Sequence, residues 1–229
     1  MNTWQIGDIK ITKVIEGLSE FELTEIIPEA TAENLQPLSD WLCPHYLEGS
    51  KAKLSIHSFV IQTADKTILV DTCVGNDKER KPYKMWHQLN TSYLQDLQAA
   101  GFAREDIDVV LCTHLHVDHV GWNTMLVENE WVPTFPNARY LIAEKEWQFW
   151  SQSKDIMLSK QVLADSVQPL FDANQVDLVQ LDHKICDEVY FVATPGHTPG
   201  HISLKIDSNG QQAVLSSQEE ASSRTVEEL

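Results

Sequence analysis

The sequence has few basic residues: 17 Lys and Arg stand against 34 Asp and Glu, a net charge of −17. A chain this acidic lacks the positive face that phosphate backbones and anionic lipids require, which argues against nucleic acid or membrane as partner. A small anionic substrate stays compatible, because a bound metal inverts the field around it. Cysteine is also scarce. Cys43, Cys73, Cys112 and Cys186 are scattered without a C-x-x-C pair, which reads as reduced thiols in a cytoplasmic chain. The N-terminus Met1-Asn2-Thr3-Trp4-Gln5 lacks a basic-then-apolar leader. No apolar run approaches the roughly 20 residues that span a bilayer. No Ser-His-Asp or Cys-His arrangement, internal repeat or low-complexity linker is present. What is there is 229 residues with 42% hydrophobic content, enough for one domain with a sizeable core.

The chain is organised around Thr113-His114-Leu115-His116-Val117-Asp118-His119-Val120-Gly121-Trp122. The β-branched run Ile107-Asp108-Val109-Val110-Leu111-Cys112 precedes it and reads as a buried strand. His114 and His116 lie two apart, so on an extended backbone their rings point to one side. They can then close on one cation at about 2.0–2.1 Å each. Asp118 and His119 follow where the chain turns, with Gly121 as the first flexible residue, and face a second position beside the first. Imidazole and carboxylate together suit zinc, and also manganese, iron or cobalt.

This motif resembles the metallo-β-lactamase superfamily of metal-dependent hydrolases. Leu69-Val70-Asp71-Thr72 is similar to that family's early strand-end aspartate, and Thr194-Pro195-Gly196-His197-Thr198-Pro199-Gly200-His201 to its third ligand segment. The resemblance runs from about residue 4 to 215. It implies an α/β fold, a four-layer αββα sandwich with the metal site at one edge of its two sheets. It implies that His114, His116 and His197 hold one Zn2+, and that Asp118 and His119 serve a second. Asp71 and His201 would stand behind the ligands, Asp71 orienting an imidazole. The implied chemistry is attack of metal-activated hydroxide on a small-molecule ester, lactone or phosphoester, with Asp118 orienting the nucleophile or moving its proton. The lactonase and organophosphate-ester hydrolase branch is the nearest in kind. A redox reading, with iron in place of zinc, is the weaker option.

Along the rest of the chain, Trp4 to Ile15 reads as a hairpin around Gly7-Asp8, and 55–62 and 67–71 as two strands. Residues 19–50, with Pro28, Pro37 and Pro44, read as an irregular covering segment, and 77–84 as a charged loop. Helices are expected at 92–100, from 144 and over 153–171. Strands are expected at 139–143, 176–181 and 188–193, with 131–136 a turn-rich connection. Trp147 and Trp150 read as packing residues, one of them lining a pocket. His45, His57, His87 and His183 fit no ligand pattern and read as structural or surface.

The ending departs from the family pattern. After the hairpin 201–215, Ser216-Ser217 stands where relatives carry Gly-Asp, whose aspartate bridges two metals. The expectation is a domain over 1–215 with its last strands and helix incomplete, then a polar, disordered tail at 216–229. Glu219 or Glu220 could stand in for the absent carboxylate. Uncovered apolar sheet would favour self-association into a homo-oligomer. The alternative to a hydrolase is a catalytically weak metal-binding remnant that lacks the bridging aspartate and last histidine.

Overall fold

A computed structural model of the chain describes residues 2–152 and 157–216. The first hairpin is β1 (Asn2–Ile6) and β2 (Ile9–Glu22), antiparallel with Ile6 opposite Ile9. β2 runs past the expected end at Ile15, across a register shift between Ile15 and Gly17, and pairs with β4 (Lys51–Gln62) to its last residue. The segment 19–50 is therefore less irregular than its prolines suggest. Opposite charges face each other across the extension, Glu20 against Lys53 and Glu22 against Lys51, pairs that favour the ladder. Between the two strands lie three single-turn helices, α1 (Leu23–Ile26), α2 (Ala32–Leu35) and α3 (Ser39–Leu42), and the short β3 (Leu47–Glu48). Leu42, Leu47 and Ala52 make a small separate core there.

β5 (Thr67–Val70) is followed by a long loop and α4 (Tyr93–Ala99), which ends before Gly101. β6 (Val109–Cys112) delivers the chain to the histidine motif. Next comes a hairpin in place of the expected turn-rich connection, β7 (Thr124–Val127) with β8 (Glu130–Pro133). Glu128 and Asn129 both hold positive φ, 51° and 67°, the backbone of a two-residue hairpin turn. β9 (Arg139–Ala143) leads directly into α5 (Glu144–Gln152). The helix expected at 153–171 is, where described, two helices, α6 (Met157–Ser166) and α7 (Gln168–Asp172). They part at Val167 because Pro169, in the first turn of α7, starts a helix well and continues one poorly. β10 (Val176–Val179) stops two residues short of expectation, and β11 (Val189–Ala193), β12 (Ile202–Ser208) and β13 (Gln211–Leu215) close the described chain.

The large sheet runs β1-β2-β4-β5-β6-β9-β10, with β3 beside β4; the small one runs β11-β12-β13. β5, β6, β9 and β10 are parallel neighbours. Strands buried on both faces read as unbroken apolar runs, as Val109–Cys112 does. Val110, Cys112, Tyr140 and Ile142 pack with Tyr93, Leu97, Trp150 and Leu170 on the helix side. Val109, Leu111, Leu141 and Ala143 pack with Phe191, Ile202, Leu204 and Ile206 of the small sheet. The architecture is thus helices, large sheet, small sheet: three successive layers of the expected αββα arrangement. No described helix is long and apolar enough to cross a membrane.

Candidate metal centre

The centre forms on one side of the two sheets, where β5 and β6 end and β12 begins. Asp71 directly follows β5, is 4% exposed and takes φ +56°. A non-glycine residue held in that region is a small backbone strain of the kind found at working sites. The strain places its carboxylate under the histidine loop. Oδ1 accepts from the Thr113 backbone N–H at 2.8 Å, Oδ2 from the Thr113 hydroxyl at 2.8 Å, and Oδ2 also from His119 Nδ1 at 3.0 Å. With its proton on Asp71, Thr113 Oγ1 is an acceptor for His114 Nδ1 at 3.1 Å. Asp71 therefore orients His119 directly and His114 through one hydroxyl, so that His114 Nε2 faces the centre. Cys73 also has positive φ, 53°, a backbone conformation that glycine adopts most readily.

Gly121 is needed for closeness rather than for turning. The chain turns through 117–120 without positive φ. A Cβ on Gly121 would lie 1.8 Å from the Val74 carbonyl oxygen. That contact, with Gly121 N donating to Cys73 O at 2.8 Å and Trp122 N to Thr72 O at 2.7 Å, ties the loop after β6 to the loop after β5. Glu16 clamps the same two loops from β2, accepting from Val74 N at 2.8 Å and the Trp122 indole at 2.6 Å. Burial raises its pKa against those hydrogen bonds.

Three imidazoles converge. His116 Nδ1 lies 3.0 Å from His114 Nε2 and 2.7 Å from His197 Nε2. The ligand atoms of His114, His116 and His197 all fall within 4.8 Å of one another. Two donors on one tetrahedral zinc at about 2.0–2.1 Å stand about 3.3 Å apart, so His116 would part from each of its two neighbours by a few tenths of an ångström to seat an ion. Protonation favours this. Burial holds His114 well below the ordinary histidine pKa and His116 at about 4, with neighbouring imidazoles adding to the effect, and burial likewise lowers His197. All three are neutral donors at neutral pH, the form that binds metal. The donor set fits a zinc-type cation.

Asp118 and His119 stand beside this trio, with the His119 ring centroid 4.1 Å from that of His114. His119 is held between two carboxylates, Asp71 on Nδ1 and Asp118 on Nε2 at 3.3 Å. Burial opposes its charge, but Asp118 and Asp71 prevail and raise it to about 10. Asp118 is lowered to about 2, burial being overcome chiefly by His119. His201 is 3% exposed, bonds Thr194 Oγ1 through Nδ1 at 2.8 Å and sets its ring at a tilt to that of His114, centroids 5.1 Å apart, outside the converging trio. Ser217, Glu219 and Glu220, with the tail 217–229, lie outside the described residues.

A cavity of about 1600 Å³ opens onto His116, Asp118, His119 and His197. Its wall is largely apolar, with Phe21, Ile27, Phe59, Trp86 and Trp150 among its residues. Phe21 and Ile27 come from the covering segment, whereas Trp41 and Tyr46 pair with each other and stand 47% and 49% exposed. Of the two tryptophans on α5, Trp150 is the one at the site, edge-on to His116 at 5.2 Å, and Trp147 packs on Phe171. His57 also lines the cavity, a role its lack of ligand spacing hid. Its only signal was its place on a strand beside the one that ends at Asp71.

The sequence pattern described as the metallo-beta-lactamase superfamily matches residues 53–213. An N-acyl homoserine lactonase of a Bacillus species is 24% identical over 178 residues, covering 73% of this chain and 64% of that protein. The chain thus spans a little under two thirds of the length of such relatives. The probable metallo-hydrolase YflN of Bacillus subtilis is 33% identical over 109 residues, 43% of this chain and 39% of that one. A probable metal-dependent hydrolase from Staphylococcus aureus has a similar structure, TM-score 0.75 at 23% identity, over 92% of this chain and 73% of the other. AidC, a dizinc quorum-quenching lactonase solved with a product, gives 0.73 at 22%, over 93% and 72%. At such identities the structures speak for the fold.

Proposed function

The chain belongs to the metallo-beta-lactamase superfamily, and from that premise we propose that it is a zinc-dependent hydrolase of a small ester, lactone or phosphoester. The observation that carries this is the convergence of His114, His116 and His197 at the end of an apolar-walled cavity. Those three residues would hold the first ion; Asp118 would contribute to a second, and so would His119 once it gives up the proton it shares with Asp71 and Asp118. Zinc bound there would supply a Lewis acid and acidify a water molecule. Asp118, ionised at any pH above about 2, can accept the proton of an attacking water or orient it. Asp71 holds His119 and, through Thr113, His114 in one orientation. Phe21, Ile27, Phe59 and Trp86 offer surface to an acyl or aryl group. Lactones carrying an apolar acyl chain are the first substrates to try, since relatives are named as lactonases. The same matches do not favour a catalytically weak metal-binding remnant.

Elemental analysis of dialysed protein, with an ester, lactone and phosphoester panel, is the test. Zinc is expected at one or more ions per chain, with hydrolysis that stops on chelation. His116→Ala should lose most of the zinc, because two of three strong donors remain. Full zinc content in His116→Ala, or turnover indifferent to chelation, would reject the proposal.

A further inference from the structure

The carboxylate of Glu146 lies in the first turn of α5 and is 1% exposed. Its two oxygens divide their hydrogen bonds between the two histidine segments. Oε1 accepts from the Leu115 backbone N–H at 3.1 Å, between His114 and His116, and from the Trp150 indole at 2.6 Å. Oε2 accepts from the Thr198 hydroxyl at 2.7 Å and the Gly200 backbone N–H at 3.0 Å, just after His197. Trp150, held by the first oxygen, lies edge-on to His116 at 5.2 Å.

The two segments come from different sheets. His114 and His116 follow β6 of the large sheet, and His197 precedes β12 of the small one. The backbone bond from Ile202 N to Thr113 O at 3.1 Å joins them further back. Nearer the histidines, Glu146 spans them with one oxygen for each. The fit is close: a Cβ on Gly200 would lie 2.3 Å from the Glu146 backbone nitrogen. Buried N–H and O–H groups demand acceptors, and here one carboxylate meets four donors. A carboxylate is also the side chain suited to the place. A glutamine would turn its NH2 end towards one pair of donors and leave them facing a donor.

We propose that Glu146 is a positioning residue of the metal centre, setting the spacing of His197 from His114 and His116 and so the affinity for a tetrahedral divalent cation. This rests on reading the three histidines as ligands. The Glu146 bonds make the centre's geometry a property of α5 as well as of the two loops.

The probe is Co2+, whose visible absorption reports its ligand geometry. Affinity is read by competition with a chelator, and metal-free melting is followed in parallel. Glu146→Gln and Thr198→Val should each weaken binding by about 10–100-fold, the usual size of such outer-shell effects, and shift the cobalt bands. Thr198→Ser, which keeps the hydroxyl, should restore both. Variants that melt lower but bind Co2+ with the parent's affinity and spectrum would overturn the proposal, since a merely structural role predicts that result. Should Glu146→Gln fail to fold, Thr198→Val with its serine rescue decides alone: parental affinity in the valine variant overturns it. A parent chain that leaves Co2+ uncoordinated overturns the ligand reading and this inference together. Tight binding by parent and variants alike overturns only the role of Glu146.

Discussion

His114 and His197 meet at one centre from unlike surroundings. His114 follows a strand whose four residues are all buried, is itself 0% exposed, and is oriented through Thr113 by Asp71. His197 leaves the turn Thr194-Pro195-Gly196 with its side chain exposed, and its anchors, Thr198 and Gly200, come after it. One half of the site is preformed by the large sheet; the other is brought to it from the small one. A loop presented by a rigid sheet is a common way to build a site. Here the two halves differ in how much of the fold must change to move them.

Removing Asp71 should break the preformed half most. Asp71→Ala leaves the Thr113 N–H and hydroxyl without their acceptor and His119 without one of its two carboxylates. Breaking a buried charge pair by deleting one member costs about 3–5 kcal/mol, and zinc affinity of the folded fraction should fall about 10–100-fold. Urea unfolding and chelator competition measure the two effects. Parental stability would mean that the carboxylate contributes nothing to the loop it underlies.

The contrast itself is tested by truncating one histidine from each half in the metal-free protein. His114→Ala opens a hole in a buried site and removes the partner of Thr113, costing about 1–3 kcal/mol. His197→Ala changes an exposed side chain and should stay within about 0.5 kcal/mol. Both should lose zinc. Equal losses of stability in urea would erase the distinction between a held and a delivered ligand.

The histidine loop, Asp71 and the His197 turn were legible because each joins metal-type residues to a strand end, a pattern carried by neighbours in sequence. The β4, β5, β9 and β12–β13 strands were legible for the same local reason. What could not be read depends on partners far along the chain. Lys78 and Arg80 look like a solvated charge run, yet both are 0% exposed. Arg80 grips Asp165 with two bonds, 2.7 and 2.8 Å, and Lys78 lies over the Trp131 ring at 3.6 Å. Glu146 hid in Glu144-Lys145-Glu146. Its one local sign was sharing a helix face with Trp150, four residues on. The continuation of β2 and β4 into residues 19–22 and 51–54 rests on cross-strand charge pairs, which a reading of either strand alone cannot contain.

The smallest effect probes the wall rather than the ligands. His57 lies on β4, in the same large sheet, with Nδ1 donating to Ser55 O at 2.6 Å and its ring edge-on to Phe59 at 4.8 Å. Burial, aided by Lys13, lowers its pKa from 6.5 to about 4. The folded protein thus keeps His57 neutral down to about pH 4, whereas the unfolded chain takes up a proton below about pH 6.5. Below pH 6.5 the unfolded state binds more protons, so this contribution to stability is complete above 6.5 and is lost as pH falls towards 4. At pH 5.5 the loss from this one group should be about 1 kcal/mol. The measurement is urea unfolding of the metal-free parent and of His57→Gln at pH 7.5 and 5.5, so that the histidines common to both cancel. The parent should lose about 1 kcal/mol more than the variant on acidification. The same loss in both would mean that the cavity wall at β4 is as open to water as the His197 side.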